Sequence, residues 1–145
     1  MSQVNRGSNP APTEMIFYDG HCGLCHWAVR FVLAQDQDGD AFRFSPLGSA
    51  AFVAAVPESE RVDLPDSMVV HTAEGRVLTR SDGLLHILRR LGGRWRFIAI
   101  VAAVVPAVVR NRLYDVVART RHRLFRRPAD ACPLIPPHLR ARFDL

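Results

Sequence analysis

Two cysteines separated by two residues, Cys22-Gly23-Leu24-Cys25, are the part of this sequence best equipped for covalent chemistry. Disulfide exchange needs a thiolate, and a free thiol with a pKa of about 8.5 is only a few per cent ionised at neutral pH. Met15-Ile16-Phe17-Tyr18 is β-prone and ends on the turn signal Asp19-Gly20. Residues 22–35 then carry Leu24, Ala28, Phe31 and Val32 on one helical face. The pair therefore falls where a strand gives way to a helix. A helix N-terminus offers unpaired N–H groups and a partial positive charge, and both favour a thiolate. On that geometry Cys22 is the exposed nucleophile. Cys25, one turn later, is in reach to attack a mixed disulfide on Cys22. Gly23 keeps the turn free of a side chain. Leu24 sits where the intervening residues tune the potential, and it does not reveal the direction of electron flow.

The neighbouring residues admit more than one reading. Asp19 is either the first residue of an Asp-Gly turn or a proton relay for Cys25. His21 and His26 flank the pair, and either, as a cation, would lower a thiol pKa. Cys22 to His26 also fits the CxxCH pattern of covalent haem attachment, which generally needs an exported chain. Zinc needs four ligands, usually in two pairs, and no second CxxC exists. Cys132, His21, His71 and His122 have no ligand-like spacing, so neither a metal nor any other cofactor is expected. Cys132, alone before Pro133, reads either as a partly buried thiol or as a third redox cysteine.

The whole chain bounds these options. Its 145 residues, 48% apolar and 23% charged, fit one folded domain with a real core. Three cysteines do not make a disulfide framework. The first fourteen residues are polar and lack the apolar segment of a signal peptide. A cytoplasmic location is expected, where a CxxC is catalytic or metal-binding rather than a staple. All 19 basic residues are arginine; residues 1–82 carry net −5 and residues 83–145 net +10. A basic C-terminal part reads as a solvated helix face or as a contact for an acidic partner or a peripheral membrane surface. No nucleic-acid signature accompanies it. The longest apolar run, residues 97–109, is interrupted by Pro106 and is shorter than the roughly 20 residues a spanning helix needs. It reads first as a buried helix and second as a membrane-surface helix.

The remaining elements follow from periodicity and punctuation. Residues 41–45 alternate, with Phe42 and Phe44 on one side, as a half-buried strand does. Residues 49–56 suit a short helix ended by Pro57, and residues 58–66 a charged loop. Residues 67–71 and 76–79 form a hairpin around Ala73-Glu74-Gly75. Ser81 or Asp82 is the expected N-cap of a helix with Leu84, Leu85, Ile87, Leu88 and Leu91, stopped by Gly92-Gly93. Two more helices follow: residues 95–104, then one from Pro106 with a stripe of Val109, Leu113, Val116, Val117, Thr120 and Leu124 and arginines opposite. Residues 126–145 read as irregular, with a last turn around residues 138–143. Strand, helix, strand, helix, hairpin, helix is the thioredoxin arrangement. The expected fold is thus α/β and thioredoxin-like: a central mixed four-stranded sheet flanked by helices, with two extra C-terminal helices. Residues 1–13 are expected to be a disordered tail. Residues 14–145 are expected to be a single domain including a helical extension over about 95–125 and an irregular tail.

Tyr18-Asp19-Gly20-His21-Cys22-Gly23-Leu24-Cys25 resembles the opening of the DCC family of predicted thiol-disulfide oxidoreductases, named for an Asp-Cys-Cys signature. Phe44-Ser45-Pro46-Leu47, Asp66-Ser67-Met68-Val69-Val70, Gly75-Arg76-Val77, Arg80-Ser81-Asp82, Tyr114, Ala118-Arg119, His122-Arg123-Leu124-Phe125 and Cys132 extend the resemblance over about residues 14–143. The resemblance implies a thioredoxin-like fold with Asp19, Cys22 and Cys25 as the signature site. Thioredoxins place a cis-proline before the third strand. Here Pro65 comes too early, and Ser67 is the candidate for the facing position. The expected activity is thiol–disulfide exchange with a protein or small-molecule substrate, recharged by a reductase or glutathione. The rival is a non-enzymatic redox sensor or adaptor whose basic C-terminal helix binds an acidic partner or membrane.

Overall fold

The computed structural model describes residues 12–19, 23–36, 39, 41–65, 67–124 and 142–143, with backbone alone at 23–26 and 121–124. Strand β1 (Glu14–Tyr18) leads to helix α1 (Gly23–Gln35), strand β2 (Phe42–Pro46), helix α2 (Ala50–Ala55) and a one-turn helix α3 (Glu58–Arg61). The hairpin of β3 (Val69–His71) and β4 (Val77–Thr79) follows, then α4 (Arg80–Leu91), α5 (Gly93–Ala103) and α6 (Ala107–Leu124). The sheet order is β2-β1-β3-β4, with β1 parallel to β2 and antiparallel pairing from β1 to β3 and β3 to β4. This is the mixed four-stranded, thioredoxin-like sheet that the element order predicts.

Alternation along the strands builds two cores. Ile16 and Tyr18 of β1, Phe42 and Phe44 of β2 and Val70 of β3 pack against Val29 and Val32 of α1 and Ile87 of α4. Phe17 and Val69 face the other way, onto Phe52 and Val56, and Phe17 meets Phe52 edge-on at 5.1 Å between centroids. Helix α2 starts where Ser49 caps the Phe52 N–H at 3.2 Å. The hairpin turns at Gly75, whose φ of +83° suits a residue without Cβ. At the sheet edge, Phe143 bridges Phe44 and packs on Tyr18. Arg142 pairs with Asp36, whose carboxylate also accepts from the Ala41 and Phe42 amides. The chain end thereby covers β2, an edge that would otherwise present unpaired backbone.

Several expectations need correction. Residues 58–61 are a helical turn rather than loop: Pro57 precedes it, Glu58 and Glu60 lie in its first turn and Arg61 in its last, which suits the helix dipole. Helix α4 starts one residue before Ser81, from Thr79, without a side-chain cap. Ser81 and Asp82 are inside the helix, where their side chains turn to α6 instead. Leu84 is exposed, and the inward face of α4 is Ser81, Gly83, Leu85 and Ile87. The run at residues 97–109 is not a buried helix. In α5 the small Ala99 is fully buried, while Phe97, Ile98, Ile100 and Val101 are exposed. In α6 the apolar stripe is also exposed at Val109, Leu113, Val116 and Val117. The polar side of α6 is the packed one: Ser81 donates to Asn111 Oδ1, Arg110 reaches Asp82 at 3.5 Å and Arg80 reaches Asp115 at 3.3 Å. The expected tail at residues 1–11, Cys132, and all but Arg142 and Phe143 of the last turn lie outside the described residues.

Candidate active site

Strand β1 runs through the middle of the sheet, and its carboxyl end is where α1 departs. Tyr18 is paired with Pro46 of the parallel strand β2, and its carbonyl accepts the Leu47 N–H at 2.8 Å. Asp19 follows, half-buried and already engaged in interactions. Helix α1 begins at Gly23, so residues 23–26 form its first turn, the stretch whose amides lack an intrahelical partner. Of the predicted site, Asp19, the backbone of Cys25 and Ser67 are described; His21 and Cys22 lie outside the described residues. By helical period, position 25 stands one turn before Ala28 and the buried Val29.

Ser67 and Asp19 lie just beyond the paired residues at the same end of the sheet. The antiparallel register pairs Met15 with His71, Ile16 with Val70 and Phe17 with Val69. Continued two steps, it sets Ser67 opposite Asp19. Ser67 is 1% exposed. Its hydroxyl donates to the Met68 carbonyl at 3.1 Å and accepts the Arg80 N–H at 3.3 Å. Those bonds fix the segment entering β3 against the start of α4. Arg80 has a φ of +52°, a left-handed conformation costing an arginine on the order of 1–3 kcal/mol. The Ser67 hydroxyl and the Asp115 carboxylate hold it from its two ends. No cis peptide bond occurs among the described residues.

Next to α1 lies an apolar cavity of about 430 Å³, with Trp27 and Ala28 on one wall and Met68, Leu85, Leu113 and Tyr114 among the others. Sequence reasoning missed this feature. The available signal was Trp27, a large aromatic residue two positions after Cys25. Trp27 is 63% exposed and stacks on Phe31 at 5.8 Å, and Phe31 meets Trp95 of α5 edge-on at 4.8 Å. Trp95 Nε1 donates to Gln35 at 3.0 Å, so α5 is tied to the far end of the cysteine helix. Also missed was a buried ionic group at the start of β1: Glu14 pairs with His86 at 2.6 Å and Arg90 at 3.8 Å, and accepts from the Ala73 N–H. Among the described residues no three His, Cys, Asp or Glu side chains group as a metal site.

A thioredoxin-like sheet whose first strand is followed by a CxxC sequence running into the first helix defines a class, and comparison with known proteins agrees with it. A family model described as DCC1-like thiol-disulfide oxidoreductase matches residues 16–127. The chain belongs to that family. It is 32% identical over 137 residues to the uncharacterized protein YuxK of Bacillus subtilis (strain 168), covering 94% of this chain and 97% of the relative. It is 31% identical over 120 residues to a chloroplastic DCC family protein of Arabidopsis thaliana, covering 83% of this chain and 69% of that one. No solved structure matches the chain. Family membership supports a general thiol-disulfide oxidoreductase role.

Proposed function

We propose that the protein exchanges electrons through a Cys22–Cys25 dithiol. The observation that carries this reading is the placement of the motif in the chain: β1 ends at Tyr18, α1 starts at Gly23, and the two cysteines span that junction. The unpaired amides of the first turn favour a thiolate there. The Cys22 thiolate attacks one sulfur of a substrate disulfide, forming a mixed disulfide and expelling the other sulfur as a thiolate. Cys25, once deprotonated, attacks the Cys22 sulfur. That closes the Cys22–Cys25 disulfide and releases the second substrate thiolate, so two electrons pass to the substrate. Asp19 takes the Cys25 proton. His21 tunes the Cys22 thiol as a cation. Ser67, aligned with Asp19 by the strand register, stands where an incoming substrate segment meets β3.

A reductase or a small thiol such as glutathione restores the dithiol by the reverse steps, and a reducing cytoplasm suits this cycle. Reduction of insulin disulfides, and equilibration across a glutathione redox series, test the proposal. Wild type is expected to be active, with Cys22→Ser and Cys25→Ser inactive in turnover and Asp19→Asn slowed with a changed pH profile. Equal rates in wild type and both cysteine variants contradict the proposal.

A further inference from the structure

Helices α5 and α6 are assembled inside out. The residues they turn to the protein are small or polar: Ala99 and Ala118 are buried, and Asn111, Arg110 and Asp115 pair with Ser81, Asp82 and Arg80 of α4. The residues they turn away are large and apolar. Phe97 is 68% exposed, Val104 82% and Val108 66%, while Leu113 and Val117, also exposed, border the cavity beside α1. A soluble helix hides its apolar face, and large apolar residues left exposed on two successive helices point to an interaction site. We propose that this face is a docking surface for an anionic lipid bilayer, with α5 and α6 lying in the headgroup layer.

Charge selects that occupant. Residues 93–124 hold seven arginines and a single acid, Asp115, and Asp115 is already paired with Arg80. Arg94, Arg96, Arg112 and Arg119 are exposed. A second copy of the chain on this face would bring two such arginine sets together, whereas anionic headgroups neutralise them. The helix geometry points the same way. No single described helix is long and apolar enough to cross a membrane; α5 and α6 together have the length and composition, but they are bent by 113° at the break between them. Helix α5 is apolar on most sides, with Arg94 and Arg96 in its first turn, and α6 carries arginines beside its exposed valines; at a lipid interface apolar burial and lipid charge both contribute to binding. Trp27 shares its cavity with Leu113 and Val117, so docking through α6 brings the cysteine helix alongside the lipid. The inference rests on packing and charge and stands apart from the redox chemistry proposed above.

The test is co-sedimentation of the full chain with vesicles of equal parts phosphatidylglycerol and phosphatidylcholine, and with phosphatidylcholine alone. Binding is expected to the mixed vesicles, weakening as salt rises, and little to the neutral ones. The triple variant Phe97→Ser, Val104→Ser, Val108→Ser is expected to bind at least about tenfold more weakly. Its thermal unfolding should be unchanged, because these side chains are exposed in the folded chain. Arg112→Gln with Arg119→Gln should weaken binding and flatten its salt dependence. Three results overturn the proposal: no binding to anionic vesicles, equal binding by the triple variant, or a wild-type dimer that the triple variant abolishes without vesicle binding by either.

Discussion

Strand β2 and helix α6 both separate apolar from polar side chains, yet they turn opposite sides to the protein. In β2, Phe42 and Phe44 point into the core and are fully buried. In α6, Asn111 and Asp115 point inward, and Val109 and Val116 are exposed. Hydrophobic burial thus accounts for the sheet and the helices on it, while hydrogen bonds and ion pairs seat α6. The difference teaches that periodicity locates an amphipathic face but does not say what covers it. The first region is built as a folding unit. The second is built as a surface.

This contrast predicts a graded set of stability effects. Phe44→Ala should cost about 3–5 kcal/mol, because it empties a fully buried ring site between β2, α1 and Phe143. Phe97→Ala, the same chemical change on the outward face of α5, should stay within about 0.5 kcal/mol. Urea unfolding of the two variants measures the gap, and similar losses would erase the distinction between the regions. Ser67→Ala is expected to cost about 1–3 kcal/mol, since it strands the Arg80 N–H at a left-handed backbone position. Ser81→Ala, which removes the hydroxyl donated to Asn111, should cost about 1 kcal/mol. Hydrogen exchange should show that loss concentrated in α6. Among these polar changes Asp115→Asn should have the smallest effect, under about 1 kcal/mol, because both partners of its Arg80 pair are partly exposed. A loss well above that would mean that the pair carries the seating of α6.

The sheet was legible because its signals are local. Phe42 and Phe44 alternate, Asp19-Gly20 and Gly75 punctuate, and Ser49 caps its helix through its own neighbours. The sequence also shows the CxxC pair and the strand before it. What it hid depends on contacts between distant residues. Arg80, Ser81 and Asp82 look like a helix start with a capping serine or aspartate, but their partners lie 28 to 35 positions further on, in α6. Those partners decide which side of α6 faces in. Val29 was missed beside Val32 for a similar reason: several apolar stripes can be drawn on α1, and the sheet selects one. The register that pairs Phe17 with Val69, and so brings the segment before β3 towards the end of β1, could not be read from the sequence. The one-turn helix at Glu58–Arg61 is too short to show any period at all.

The proposed exchange makes its sharpest demand on one sulfur. The Cys25→Ser protein, incubated with oxidised glutathione and digested for mass spectrometry, should carry a stable glutathione adduct on Cys22, whereas the wild type should yield a Cys22–Cys25 disulfide and free glutathione. An unmodified Cys22, or an adduct confined to Cys132, would contradict the account.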